Sequence, residues 1–369
     1  MTTLLTPPAS AESLLPSATP LQLIGPDGDA GPNPGELAMP EPRILLDLYR
    51  RMVIGRRFDR QATLLTRQGR LAVYPSSRGQ DACQVGAVLA LREQDWLFPT
   101  YRDTMAVITR GVDAAEALSL LSGDWHCGYD PYQYRVAPQC TPLATSTLHA
   151  VGLAHAARLR QQDQVALALL GDGATSEGDT HEALNFAAVW HAPVVFLVQN
   201  NGFAISVPLA KQTAAPTLAA KGAGYGIPAL LVDGNDAAAV YAAVRGCAER
   251  AAAGQGPALI EAVTYRIEAH TNADDASRYR DDAEVQAWLA RDPITRLEAY
   301  LRAAGLLDDR AAGQVAAEAE RFAERVRERM NRDVIADPAD LFAHVYTQPT
   351  AALEQQRDAL LRKLAQATP

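Results

Sequence analysis

Two short apolar runs in this chain end in polar residues, and any fold must accommodate both. Val165 to Leu170 reads VALALL and runs into Gly171-Asp172-Gly173, while Pro193 to Val198 reads PVVFLV and leads through Gln199 to Asn200-Asn201. Apolar runs of this length, bounded by Gly, Pro and Asn, suit strands buried on both faces, as in parallel sheets. Thr180 to Trp190 between them has helix length, so a β-α-β unit with a right-handed crossover is expected. Both strands then deliver polar groups to the same carboxyl edge, where open α/β sheets bind ligands. The glycines flanking Asp172 let backbone and ligand approach closely.

The alternation extends in both directions. A helix is expected over Leu148 to Leu159, then an apolar run at Ala229 to Val232, a helix over Ala237 to Ala253 and a strand over Pro257 to Val263. Upstream, Ile44, Leu45, Leu48, Tyr49, Met52 and Val53 share one face of a helix, and further helices are expected around Gln80 to Leu91 and Ala114 to Leu121. The fold class is therefore α/β: a parallel sheet flanked by helices, with additional N- and C-terminal helices. Residues 1–42 hold nine prolines and four glycines without hydrophobic periodicity, which predicts a disordered arm. The body should span 43–345, helical over 43–125, an α/β core over 126–285 and helical over 286–345. A last helix should occupy 346–369. Val315, Ala319, Phe322, Val326 and Met330 form one stripe and Leu353, Leu360 and Leu364 another, both expected to pack on the body, with a partner-binding surface as the alternative.

Composition excludes several classes. The net charge is −9, and five acids with no Lys or Arg precede Arg43. Nothing clusters the cations that nucleic acid requires. Cys83, Cys127, Cys140 and Cys247 form no C-x-x-C pair and read as reduced thiols. No basic n-region with an apolar h-region opens the chain, and no apolar stretch is long enough to span a membrane. The cytoplasm of a bacterium is the expected location.

Asp172 decides what the sheet edge can hold. In a dinucleotide turn or a P-loop, backbone N–H groups face the phosphates. A carboxylate there opposes a diphosphate by roughly 1–4 kcal/mol at 4 Å in water-like to surface-like dielectric. A hard cation between the two reverses the sign, and Mg²⁺ is held by one or two protein oxygens together with phosphate oxygens. The glycines also run G-x-G-x-x-x-x-G, and no Gly-Lys-Ser/Thr follows. A plain strand-to-helix turn capped by Asp172 is the structural alternative. A Mg²⁺-dependent phosphate-handling enzyme would want a second acid two residues on, where Ala174 stands. A non-catalytic scaffold predicts no cofactor at all.

GDG, twenty-six residues, then NN resembles the thiamine-diphosphate motif, in which Mg²⁺ joins protein to the cofactor's diphosphate. The blocks NNGFAISVP (200–208), GYGI (224–227), VDGND (232–236), LIEAVTYR (259–266) and HTNADDASRYR (270–280) resemble, in order, the alpha subunit of the first, decarboxylating component of 2-oxo acid dehydrogenase complexes. The resemblance spans about Leu45 to Leu301. It implies the thiamine-diphosphate-binding fold of that family and oxidative decarboxylation of a 2-oxo acid, with transfer of the acyl group to the lipoyl group of the second component. The branched-chain members, acting on substrates such as 3-methyl-2-oxobutanoate, read nearest; pyruvate and acetoin dehydrogenases are the alternatives.

Residue by residue, the resemblance implies Mg²⁺ ligation by the side chains of Asp172 and Asn201 and the carbonyl of Phe203. It places Gly171, Gly173 and Ala174 against the diphosphate, with Tyr101 and Arg102 beside it. Thr141 and Leu143 line the aminopyrimidine, with Leu143 as the apolar wedge. His270 contacts the diphosphate and assists acyl transfer as the catalytic proton carrier, a task suited to a pKa near 6.5. The other six histidines read as structural. Gln199 stands where the family often has an arginine on the diphosphate, so one contact is weakened or replaced. Cys140 and Ser146 depart from a potassium-binding pattern in related enzymes and leave K⁺ open. Residues 271–281 have the composition of a mobile loop, and Thr271 stands where some relatives are phosphorylated. The carboxylate that activates the cofactor belongs, in the family, to a beta subunit. An α₂β₂ heterotetramer and a lipoyl-bearing acyltransferase are therefore the implied partners. Sequence leaves open which 2-oxo acid is preferred, whether the loop is regulated and what the N-terminal arm does.

Overall fold

The computed structural model describes residues 14–31, 37–123, 126–332 and 337–367. Five parallel strands form the central sheet: β1 (Trp96–Phe98), β2 (Ala166–Gly171), β3 (Val194–Asn200), β6 (Ala229–Asp233) and β7 (Ala258–Val263), in the order β1-β2-β3-β7-β6. A small antiparallel pair, β4 (Phe203–Ala204) and β5 (Val207–Pro208), follows β3. β2 and β3 pair in register from Ala166 opposite Val194 to Gly171 opposite Gln199, and Asn200 faces Val263 of β7.

Alternation along β2 and β3 divides the core into two layers. Leu167, Leu169, Val195 and Leu197 pack with helices α1 (Pro42–Arg67), α2 (Asp81–Leu89) and α7 (Ala237–Ala252). Ala166, Ala168, Leu170, Val194, Phe196 and Val198 turn the other way, onto α5 (Thr145–Leu159) and α6 (Gly178–Val189). Two covered faces explain why these strands are uninterrupted apolar runs. Beside them, α1 meets α4 (Ala114–Ser122) and α10 (Asp309–Met330) around Phe58, Leu65, Leu118 and Val326. The short α3 (Thr104–Thr109) follows β1, and α8 (Asp282–Leu289) and α9 (Pro293–Ala303) follow β7.

Three expectations change. The arm expected to be disordered over 1–42 is partly docked: the Leu21 N–H donates to Leu231 O, and Asp233 N–H donates back to Leu21 O, adding an edge to β6. Leu21, Leu23 and Ile24 are buried, Asp236 accepts from the N–H groups of Leu23 and Ile24, and Arg296 donates to the Ile24 carbonyl. A single extended segment has no periodicity to read, because β6 and Arg296 supply its partners. The parts of that expectation on 1–13 and 32–36 lie outside the described residues. Second, the stretch 43–125, expected to be helical, contains β1, which at three residues is too short to stand out in the sequence. Third, the 315–330 stripe does pack, with Ala319, Ala323 and Val326 buried, but α11 (Ala351–Ala367) does not follow it. Of its stripe, Leu353 and Leu360 are half-buried and Leu364 is 41% exposed.

Candidate functional site

Four of the five parallel strands hand residues to one cleft from their carboxyl ends. β1 leads into Thr100-Tyr101-Arg102, β2 into Gly171-Asp172-Gly173, β3 into Gln199 and Asn201, and β7 into Tyr265-Arg266 and on to His270. The cleft has a volume of about 430 Å³. Tyr101, Arg102, Thr141, Leu143, Gly171, Asp172, Gly173, Ala174, Gln199, Asn201, Phe203 and His270 all line it, so the candidates for cofactor, Mg²⁺ and proton transfer meet there, whereas Cys140 and Ser146 do not line it. Val73, Pro75, Leu121, Ala204 and Ile205 supply apolar wall. A larger groove of about 800 Å³ lies between residues 37–44 and α7, and none of these residues reaches it.

Local chain geometry explains the placement. After β2 the backbone enters a 3₁₀ turn, Gly173–Ser176, stapled by the Thr175 hydroxyl on Asp172 O. A Cβ at Gly173 would stand 2.7 Å from the Ala204 Cβ, so only glycine lets the two turns close on each other. After β3, Gly202 has φ +86° and Ile205 φ +56°. Positive φ at a β-branched residue is strained, and such strain clusters at functional sites.

Asp172 is 1% exposed and makes no ion pair among the described residues. Burial pushes its pKa up, opposed by the Gln212 N–H that donates to Oδ2 at 2.9 Å. Asn201 Oδ1 accepts from the Phe203 N–H at 3.2 Å. Among the described residues no cluster of three His, Cys, Asp or Glu exists. The donors on hand are one carboxylate, one amide and a backbone carbonyl, all hard oxygens, the set Mg²⁺ accepts when phosphate oxygens complete its shell.

Two buried arginines share the cleft. Arg102 is 5% and Arg266 1% exposed, and neither forms an ion pair among the described residues. Arg266 donates to Phe203 O at 3.4 Å, Ile205 O at 2.6 Å and Tyr279 Oη at 2.8 Å, and its buried Nε has no partner. Burial, then Arg102, lowers the Arg266 pKa. An unpartnered N–H beside two uncompensated guanidinium groups suits an anion such as a diphosphate. His270 stands with them, its pKa lowered to about 4 by burial, then by Arg102 and Arg266. Burial and the two cations thus pull the ring below the unperturbed value near 6.5 and favour its neutral form.

Two further readings change. Gln199 lines the cleft, but its amide is engaged inward: Oε1 accepts from Gln80 at 2.9 Å, and Nε2 donates to Asp103 at 2.7 Å. Arg266 is the cation that sequence reading missed. Its signal was its place at the end of LIEAVTYR, immediately after a strand. The 271–281 loop, expected to be mobile, is tied down: Arg280 donates to the carbonyls of Arg266 and Ile267, and Asp274 accepts from the His270 N–H and the Tyr279 hydroxyl.

Fold and cleft together define a parallel-sheet α/β protein with an anion-receptive site at its carboxyl edge. The family described as "Dehydrogenase E1 component" matches residues 49–336. The chain is 47% identical over 347 residues, 94% of each chain, to the 3-methyl-2-oxobutanoate dehydrogenase subunit alpha of Mycobacterium tuberculosis. It is 40% identical over 277 residues, 72% of this chain and 83% of the relative, to the 2-oxoisovalerate dehydrogenase subunit alpha of Bacillus subtilis. The pyruvate dehydrogenase E1 component subunit alpha of Staphylococcus aureus is 40% identical over 272 residues, 73% of this chain and 74% of that one. The chain belongs to the dehydrogenase E1 component family, whose members depend on thiamine diphosphate.

Proposed function

We propose that the chain is the alpha subunit of a branched-chain 2-oxo acid dehydrogenase, acting on acids such as 3-methyl-2-oxobutanoate. The reading rests on one juxtaposition: Asp172, Asn201 and the Phe203 carbonyl share a cleft with Arg102 and Arg266, neither of which forms an ion pair among the described residues. Asp172, Asn201 and Phe203 would hold Mg²⁺, while Gly173, Ala174, Arg102 and Arg266 would receive the diphosphate. When bound, thiamine diphosphate supplies the electron sink that lets a 2-oxo acid release CO₂. Leu143 would support the cofactor, and Val73, Leu121 and Ile205 would exclude water and face an aliphatic substrate. Because Arg102 donates to Nδ1 of His270, the ring proton lies on Nε2, where it serves acyl transfer to a lipoyl group.

A beta subunit in an α₂β₂ assembly would complete the cleft, and a lipoyl-bearing acyltransferase would take the acyl group. Among the described residues no helix is long and apolar enough to cross a membrane. All four cysteines are free, which supports a reducing, cytoplasmic setting. Branched-chain specificity draws on the 47% relative; pyruvate is the second reading, because a pyruvate-named relative matches at 40%. One methylene in an apolar pocket separates substrates by only about 1–3 kcal/mol. The deciding experiment is CO₂ release by the chain co-expressed with its beta subunit, comparing 3-methyl-2-oxobutanoate with pyruvate. A higher kcat/KM for pyruvate would overturn the substrate, and absence of both activities the function.

A further inference from the structure

Three buried side-chain amides stand in line between the Asn201 turn and the segment after β1. Asn201 Nδ2 donates to Gln80 Oε1 at 3.1 Å, Gln80 Nε2 donates to Gln199 Oε1 at 2.9 Å, and Gln199 Nε2 donates to Asp103 Oδ1 at 2.7 Å. Asp103 Oδ2 accepts from the backbone N–H and the hydroxyl of Thr100, both at 2.7 Å. All four chain members are at most 5% exposed. Gly79 makes the route possible: at φ +97° its missing Cβ would otherwise lie 1.9 Å from Tyr265 O.

A side-chain amide has a donor end and an acceptor end, whereas a carboxylate only accepts. Asp103 therefore requires the NH₂ of Gln199 to face it, which turns Gln199 Oε1 toward Gln80. Gln80 must answer with its NH₂, leaving Oε1 for Asn201, which must then offer its own NH₂. The Asn201 oxygen is left on the opposite side, with the Phe203 N–H. Gln84 reinforces this polarity by donating to Gln199 Oε1 at 3.4 Å and to Arg102 O at 3.2 Å. Reversing the line would present NH₂ to a cation, which repels it.

We propose that Asp103 is a positioning residue which, through Gln199 and Gln80, orients the Asn201 amide so that its oxygen faces the metal. The inference rests on the reading of this cleft as a Mg²⁺–thiamine diphosphate site. Gln199 becomes a link in the framework, which accounts for a neutral amide at that position.

The test uses Asp103→Asn, which keeps shape and the acceptor for Thr100 but allows the line to reverse. The full chain with its beta subunit is titrated with Mn²⁺ at saturating thiamine diphosphate, with free Mn²⁺ read by electron paramagnetic resonance. Mn²⁺ affinity should fall about 10–100-fold, as expected when an outer partner of a metal ligand is lost, with the melting temperature unchanged. Gln80→Leu cuts the line in the middle and should weaken Mn²⁺ to a similar extent. Adding Asp103→Asn to Gln80→Leu should then change nothing further, since coupled residues are not additive. Mn²⁺ affinity within twofold of the parent in either single variant, or fully additive losses in the double variant, overturns the proposal. Failure of the unmutated protein to bind Mn²⁺ with thiamine diphosphate would instead refute the cofactor reading itself.

Discussion

The Nη2 group of Arg102 donates to both Nδ1 and the carbonyl oxygen of His270, each at 3.0 Å. One guanidinium thereby fixes the ring tautomer and the loop that carries it. It also keeps the imidazole neutral, since a proton on Nδ1 would face a cation.

That relationship sets a pH expectation. His270 is held at about 4, below its unfolded value near 6.5. The unfolded chain therefore binds the extra proton first. The contribution of this residue to stability is complete above about pH 6.5 and is lost as pH falls toward 4. Partial exposure screens it to no more than about 2 kcal/mol. NMR titration of His270 should give an apparent value near 4, rising by more than one unit when Mg²⁺–thiamine diphosphate neutralises Arg102 and Arg266. An unchanged value on binding would show that no anion lies beside the ring.

Asp172→Ala and His270→Ala should separate binding from chemistry. Calorimetry of Mg²⁺–thiamine diphosphate binding should show no measurable affinity in the first and near-parental affinity in the second. His270→Ala should lower acyl transfer to a lipoyl domain about 10²–10⁴-fold, the usual range for a lost proton-transfer group. Retained metal-dependent affinity in Asp172→Ala would refute its assignment as a ligand.

Arg266→Ala should weaken cofactor binding by about 1.5–3 kcal/mol, the scale of a hydrogen bond to a charged group. Arg266→Lys should not restore it, because a point charge cannot span the Phe203, Ile205 and Tyr279 oxygens that hold the planar fork. Equal cofactor affinities in all three proteins would place the diphosphate elsewhere.

Asp59 is buried under Tyr74, Ser76 and Ser77, whose donors reach it at 2.9, 2.6 and 2.7 Å. Burial raises its pKa to about 6. Its sign is opposite to that of His270: the folded protein prefers the protonated acid. Its contribution is greatest below about pH 4 and falls by about 3 kcal/mol as pH rises to 6. Urea unfolding across pH 4–6 in Asp59→Asn should lose this component, and an identical pH profile would contradict it.

Ile24→Ala should cost about 2–4 kcal/mol in chemical denaturation, as for other buried aliphatic truncations, because Ile24 is 1% exposed. A loss below about 0.5 kcal/mol would mean that the N-terminal segment does not dock in solution.

The central strands were legible in sequence because both faces of the sheet are covered, although β1 was not. VALALL and PVVFLV read as strands without reference to anything distant, and Asp172 and Asn201 follow from chain order alone. Arg266 and Asp103 were not legible as parts of the site, since an arginine after a strand and an acid before a helix are common. What marks Arg266 is an Nε without a partner in a buried cleft; what marks Asp103 is its place at the end of three amides.

Local sequence by itself determined the strands, the glycines that let turns close and the polar residues each strand delivers, because these depend on nearest neighbours along the chain. Tertiary structure alone decided which cations lack counter-ions, which way each amide points and where His270 titrates. Those properties arise from burial and from partners up to 168 residues apart, as between Arg102 and His270, and no local pattern encodes them.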